Sequence, residues 1–84
     1  MSYPEDMRNF LVIYNRRTGA NKVREFPAGH GREAIRARFE EERKHRGESD
    51  IEIVVLGSPS LDDLMKTHSR YFRSARQLVE DAKL

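Results

Sequence analysis

The chain has 84 residues, enough for one small domain that spans residues 1–84. Charged residues make up 36% of it and hydrophobic residues only 37%, so the apolar core must be thin. The 16 basic and 14 acidic side chains leave a net charge of +2, a smaller excess than nucleic-acid-binding domains usually carry. The absence of cysteine excludes disulfides, thiolate nucleophiles and cysteine-ligated metals. No apolar run is long enough to span a membrane and the start lacks a signal-peptide pattern, so we expect a cytoplasmic protein without a membrane partner.

Residues 9–15 are the strongest strand candidate, and the polar residues 1–8 before them are expected to be a loose lead-in. Five apolar residues follow one another in this strand, several of them β-branched or aromatic. Alternation gives one face with Phe10, Val12 and Tyr14 and an opposite face with Leu11 and Ile13. Because both faces are apolar, the strand needs cover on both sides and belongs in the middle of a sheet.

Residues 16–19 predict a hairpin loop, with Gly19 where a left-handed residue would close it. Residues 20–26 then predict a second strand, in which only Val23 and Phe26 are large and apolar. Their odd spacing is typical of an edge strand. Charged side chains on this edge are expected to discourage pairing with another molecule; they are Lys22, Arg24 and Glu25.

Residues 32–46 predict a helix that ends before Gly47. Charged pairs four residues apart support it, and it is expected to face mostly solvent. Its apolar stripe is short: Ile35 and Phe39 align, whereas Ala34 and Ala37 point elsewhere.

Residues 51–56 predict a third strand, as strongly as residues 9–15 predict the first. A last helix starts next, capped either by Ser58 with Pro59 in the first helical position or by Ser60 with Asp63 three residues on. Apolar and aromatic residues then recur in steps of four and three, as in a heptad seam. This seam consists of Leu61, Met65, His68, Phe72, Ala75, Val79 and Ala82, and it is widened by Leu64, Tyr71 and Leu78.

These elements predict an α+β fold with the order β-β-α-β-α. The hairpin makes the first two strands antiparallel, and the helical crossover makes the third strand parallel to the second. The third strand is expected on the free edge of the first, which gives a three-stranded mixed sheet of order 2-1-3 with both helices packed on one face. The C-terminal helix would be longer than the strands, so residues 75–84 are expected to project as a helical tail.

Strand and helix directions predict an electrically polarised domain, with a basic pole at the hairpin end. The basic pole consists of Arg16, Arg17, Arg43, Lys44, Arg46, Arg70 and Arg73. Complementing the helix dipole is one explanation for this arrangement, and binding of nucleic acid is the other.

Neither catalytic nor metal chemistry is indicated by the remaining polar residues, and no cofactor is expected. The three histidines show no ligand spacing, and capping accounts for the serines near residue 60. The loop from Gly29 to Arg32 precedes a helix start, where backbone N–H groups could hold an anion.

The sequence therefore favours a non-enzymatic module that binds a macromolecule, in the first place a protein–protein interaction or adaptor domain with an unidentified protein partner. Self-association as a homodimer is expected through the projecting seam, at Phe72, Ala75, Leu78 and Val79. The alternative is a nucleic-acid-binding domain that uses the basic pole. A third hypothesis is a sensor for an anion or small molecule at the Gly29–Arg32 loop.

Overall fold

The computed structural model describes residues 7–72, in which three strands and two helices form one layered unit. The strands are β1 (Arg8–Asn15), β2 (Asn21–Phe26) and β3 (Ile51–Ser58), and the helices are α1 (Gly31–Lys44) and α2 (Leu61–Thr67), with a 3-10 turn at Ser69–Tyr71. The predicted order β-β-α-β-α is confirmed, although Arg8 belongs to β1 and not to a lead-in. Arg73 and the expected tail at residues 75–84, with Ala75, Leu78 and Val79, lie outside the described residues. No helix within residues 7–72 has the length and apolar character to cross a membrane.

The sheet has the order β2-β1-β3, as predicted, with β1 in the centre. Val12 of β1 faces Val23 of β2 on one side and Val54 of β3 on the other, and both pairings are antiparallel. The prediction of a mixed sheet is therefore wrong. Strands β2 and β3 do run in the same direction, but β1 lies between them, so no two neighbouring strands are parallel.

The two helices lie on opposite faces of the sheet, which corrects the prediction that both pack on one face. One core layer combines Phe10 and Val12 with Leu64 of α2 and Tyr71 of the 3-10 turn. The other layer combines Leu11 of β1 and Phe26 of β2 with two alanines of α1, Ala34 and Ala37. The physical reason is that β1 is apolar on both faces, so burying both requires a helix on each.

Helix α1 packs through its small residues, in contrast to the predicted apolar stripe. Ala34 and Ala37 are buried, whereas Ile35 and Phe39 are 39% and 48% exposed. Alanine has no side chain beyond Cβ, so this helix can approach the sheet closely over Leu11, and partly buried Ile53 and Val55 complete the contact. The two large apolar residues consequently lie on the outside of α1.

The predicted long C-terminal helix is wrong within the described residues, because α2 ends at Thr67. Ser60 provides the cap: its Oγ accepts a hydrogen bond of 3.1 Å from the backbone N–H of Asp63. At the other end Thr67 Oγ1 donates to the carbonyl of Asp63, a bond that tends to bend helices. The chain then enters the 3-10 turn, which places Tyr71 against the sheet.

The seam predicted for the last helix is only partly confirmed: Phe72 and the widening residues Leu64 and Tyr71 pack in the layer against the sheet. Leu61 and Met65 are 41% and 43% exposed, whereas Leu64 is completely buried. Phe72 is half-buried and packs against the core layer of its own domain. The heptad spacing therefore breaks down where α2 ends and the 3-10 turn begins.

Glycine fixes the backbone at the two turns where the sequence predicts it. Gly19 closes the β1–β2 hairpin with φ 80°, and Gly47 follows α1 with φ 89°. In the hairpin, Asn15 Oδ1 accepts hydrogen bonds from the backbone N–H groups of Arg17 (2.9 Å) and Thr18 (3.1 Å). These two hydrogen bonds fix the backbone conformation of the turn between β1 and β2.

Candidate functional site

Two residues of the predicted basic pole meet at one carboxylate, Glu52 near the start of β3. Arg70 Nη2 donates to Glu52 Oε2 at 2.7 Å, and Arg16 Nε lies 3.4 Å from Glu52 Oε1. The hydroxyl of Tyr71 donates to Glu52 Oε2 at 2.5 Å and lies 2.7 Å from Arg70 Nη2. We call these four residues the Glu52 cluster. The antiparallel pairing brings them together, because it places Glu52 opposite Tyr14 at the end of β1.

Tyr71 anchors the Glu52 cluster to the apolar core. Its ring packs edge-on against Tyr14 with centroids 5.4 Å apart, and the Arg70 guanidinium carbon lies 4.1 Å from the Tyr71 ring centroid. Burial raises the pKa of the Tyr71 hydroxyl, and the hydrogen bond to Glu52 raises it further. The residue is therefore a neutral hydrogen-bond donor and a packing element.

Acidic side chains also accompany Arg17 and Lys44 of the basic pole. Arg17 Nε lies 3.5 Å from Asp50 Oδ2, and Lys44 Nζ lies 3.2 Å from Glu41 Oε2. His45 lies between two carboxylates, with Nδ1 2.8 Å from Glu48 Oε2. Acidic and basic side chains thus alternate at the hairpin end, which lowers the positive potential that its arginines alone would create.

The acids at this end are functional candidates that sequence reasoning missed. They are Glu41, Glu48, Asp50 and Glu52. For Asp50 and Glu52 a usable signal was present, since antiparallel pairing of β3 with β1 requires the start of β3 to lie beside the end of β1.

Arg43 and Arg46 differ from the hairpin arginines. Within residues 7–72, no carboxylate oxygen lies within 4.0 Å of either guanidinium group. Between the end of α1 and the sheet beneath it lies a cavity of about 490 Å³ that is open to solvent. Its lining combines apolar Ile13 and Ile51 with polar Asn21, Lys22 and His45.

The Gly29–Arg32 loop turns through Gly29, which has φ 86°. His30 Nδ1 lies 2.8 Å from Oε1 of Glu33, so the carboxylate of Glu33 lies at the first turn of α1, beside the position predicted for a bound anion. Within residues 7–72 there is also no group of three or more His, Asp or Glu side chains that could hold a metal ion.

The outer edge of β3 is the surface that the backbone itself makes available. Arg16 N–H donates to the Asp50 carbonyl at 2.8 Å, which fixes the hydrogen-bonding register of the β1–β3 pair. Because antiparallel bonding alternates along a strand, Glu52, Val54 and Leu56 bond to β1. The backbone groups of Ile53, Val55 and Gly57 point the other way, and no described strand pairs with them.

The side chains of β3 are unusual for an edge strand. Between Ile51 and Ser58 the only charged residue is Glu52, which is engaged in its own cluster. Ile53 and Val55 contribute to the α1 layer, and Val54 and Leu56 to the α2 layer, all of them half-buried. An apolar edge of this length is a template for pairing with another strand.

No family model matches the chain, and no curated protein or solved structure does either.

Proposed function

We propose that the chain is a non-enzymatic protein-interaction module that self-associates edge to edge through β3. The observation that carries this proposal is the outward-facing backbone of Ile53, Val55 and Gly57 on an apolar strand. A second copy of β3 would satisfy these groups with main-chain hydrogen bonds. It would also cover half-buried side chains on both faces of the sheet at once.

A two-fold axis at Val54 gives a self-complementary register. Ile53 of one copy then faces Val55 of the second copy, so the outward-pointing groups form narrow hydrogen-bonded pairs. Glu52 faces Leu56 of the second copy, which keeps like charges from standing opposite each other. Val54 faces Val54 of the second copy, and this apolar pair lies at the centre of the interface.

Such pairing closes after two copies. The joined sheet has the order β2-β1-β3-β3-β1-β2 and exposes β2 at both ends. The β2 edge carries Lys22, Arg24 and Glu25, and charge on an edge strand opposes further addition. The proposal is therefore a dimer and not a fibre.

The test uses one valine on each edge of the sheet whose backbone N–H points away from β1, and replaces it by proline. Val55→Pro removes a donor from the β3 edge, while Val23→Pro does the same on the β2 edge; neither N–H bonds to β1 in the observed register. We expect sedimentation at micromolar concentration to show a dimer for the parent and for Val23→Pro, and a monomer for Val55→Pro. A monomeric parent, or a Val55→Pro variant that remains dimeric, contradicts the proposal.

Amide hydrogen exchange provides an independent measurement without any substitution. In a β3-paired dimer, the N–H groups of Ile53, Val55 and Gly57 gain protection as protein concentration rises. Those of Val23 and Glu25 on the other edge do not. Equal behaviour of the two edges at all concentrations argues against pairing through β3.

Self-association through residues 72–79 stays a separate prediction. Leu78→Asp combined with Val79→Asp distinguishes the two interfaces, because it leaves β3 unchanged. If the dimer forms through β3 alone, this variant sediments like the parent.

Among the basic-pole residues within residues 7–72, Arg43 and Arg46 support the nucleic-acid alternative, since Arg16, Arg17 and Arg70 contact carboxylates. Its test is a salt series with a mixed oligonucleotide pool, because phosphate contacts make affinity fall steeply with salt. Replacing Arg43 and Arg46 by alanine is expected to flatten that dependence if these residues bind phosphate. Absence of binding by the parent at low salt eliminates the alternative.

A further inference from the structure

The outward face of α1 carries arginines and large apolar residues in a single stripe. Successive helical residues rotate by about 100°, so the buried Ala34 and Ala37 mark the side of α1 that faces the sheet. The stripe lies within about 60° of the opposite direction. It consists of Arg32, Ile35, Arg36, Phe39 and Arg43, all of them exposed.

The apolar part of this stripe is accessible enough to receive another side chain. Ile35 is 39% and Phe39 is 48% exposed, and they lie one turn apart. Together with Asn9, Gly31, Arg32 and Arg36 they line an open groove of about 560 Å³. Ile35 and Phe39 thus form a small apolar contact area on the outer side of α1, and the arginines around it are what distinguish it from other exposed apolar residues.

The charged part of the stripe lacks counter-ions in the described chain. Within residues 7–72, no carboxylate lies within 4.0 Å of Arg32, Arg36 or Arg43. By contrast, Arg38 on the flank of α1 pairs with Glu42, with Nε 3.8 Å from Oε1. The stripe therefore has positive charges around an apolar centre, and its complement is an apolar centre with negative charges around it.

The flanks of α1 restrict what can fit. Glu33 and Glu40 lie on one side of the stripe and Glu42 on the other, so the cationic surface is only one helix face wide. A nucleic-acid duplex would bring phosphates toward these carboxylates, and the apolar groups it offers Phe39, thymine methyls and sugar carbons, lie between the phosphates. A single amphipathic helix meets neither problem.

We infer that the outward face of α1 binds an acidic amphipathic helix of a partner protein. Apolar side chains of that helix, one turn apart, pack on Ile35 and Phe39, and its flanking carboxylates pair with Arg32, Arg36 and Arg43. The stripe from Arg32 to Arg43 is about 17 Å long, which matches a partner helix of about three turns. This surface lies on α1 and not on β3, so it is tested independently of the proposed dimer.

The experiment uses the full chain and a synthetic helical peptide of about 15 residues, labelled at one end. The peptide has leucines on one face and glutamates on its other positions. Two control peptides have the same leucines with lysines in place of the glutamates, or the same composition with the leucines distributed around the helix. Fluorescence anisotropy is expected to show binding of the first peptide only. Binding of all three, or of none, overturns the inference.

Matched variants locate the binding surface. Ile35→Ser with Phe39→Ser is expected to weaken binding by about tenfold or more, since both anchors are lost. Leu61→Ser with Met65→Ser removes a similarly exposed pair from α2 and is expected to change affinity less than about twofold. Equal losses in the two variants overturn the inference.

A second pair of variants tests the charges. Arg36→Ala with Arg43→Ala is expected to reduce affinity by about tenfold, whereas Arg16→Ala with Arg17→Ala makes the same change in net charge and is expected to have little effect. Single-stranded and duplex oligonucleotides are the last arm. Tighter binding of an oligonucleotide than of the acidic peptide, lost in the Arg36 and Arg43 variant, overturns the inference in favour of nucleic acid.

Discussion

The two faces of the central strand β1 are covered by different kinds of packing. On one face, the seven-residue α2 and the 3-10 turn contribute large buried side chains, Leu64 and Tyr71. On the other face, the fourteen-residue α1 contributes two alanines, Ala34 and Ala37, and the sheet itself supplies the bulk through Leu11 and Phe26. A short helix gains little stability from its own hydrogen bonds, so α2 depends on individual anchors. The longer α1 depends on close approach to the sheet.

This difference accounts for where the exposed surface lies. Because α1 packs through alanine, its large residues Ile35 and Phe39 are left on the outside with the arginines. Because α2 is short, a single side chain, Leu64, supplies its buried contact. The partner surface that we infer is thus a consequence of how α1 packs.

The largest expected effect comes from removing the anchor of α2. Leu64 is completely buried against Phe10 and Val12, so Leu64→Ala loses apolar burial and leaves a cavity. We expect the free energy of unfolding to fall by about 3 kcal/mol. Chemical denaturation measures it, and Met65→Ala on the exposed side of the same helix is the control, with a change below about 0.5 kcal/mol. Similar losses in the two variants would contradict an anchor role for Leu64.

Enlarging a buried side chain, the opposite change, tests whether α1 packs closely against the sheet on the other face. Ala34 is completely buried between α1 and the sheet, so Ala34→Leu inserts side-chain volume where none is available. We expect a loss of about 2 kcal/mol by denaturation. Ile35→Leu, one residue along and exposed, is the control and is expected to be nearly neutral. A stabilised Ala34→Leu variant would mean that the α1 layer is loosely packed.

The contrast between the two faces also explains how much the sequence predicts. The strand order follows from β1, because five apolar residues on alternating faces require neighbours and cover on both sides. The packing face of α1 cannot be derived from the sequence in the same way. Hydrophobic periodicity predicts that Ile35 and Phe39 are buried, whereas the short distance between the helix and the sheet places the small residues Ala34 and Ala37 in the contact. The sequence pattern contains no measure of that distance.

The same limit applies to the candidate surfaces. The basic residues near the hairpin are visible in the sequence, but their pairing with Asp50 and Glu52 depends on the β1–β3 register. The apolar character of β3 is visible as well, yet its position as an edge strand follows only once β1 occupies the centre and no strand within residues 7–72 pairs with the outer side of β3. Local pattern therefore predicts the elements, and tertiary pairing decides which of their surfaces remain available.

The smallest expected effect concerns the polar part of the α2 face, where Tyr71 donates to Glu52. Tyr71→Phe keeps the ring against Tyr14 and removes one hydrogen bond, so we expect a loss of about 1 kcal/mol at neutral pH. The pKa of Tyr71 is raised by burial, which means that the folded state holds the phenolic proton more tightly than the unfolded state does. Its contribution to stability is therefore present below the ordinary tyrosine pKa of about 10 and is lost as pH rises through the higher, folded value.

Urea denaturation at several pH values between about 8 and 11 measures this dependence. The parent is expected to lose stability progressively above about pH 10, and Tyr71→Phe is expected to lose less over the same interval, so that the two curves converge. Tyr14→Phe serves as the control, because it alters the ring partner and leaves the Tyr71 hydroxyl on Glu52, with Arg16 and Arg70 beside it. That variant is expected to keep the alkaline loss of the parent. If instead Tyr71→Phe runs parallel to the parent throughout, the hydroxyl is not held by Glu52 in solution, and the α2 face is closed by apolar packing alone.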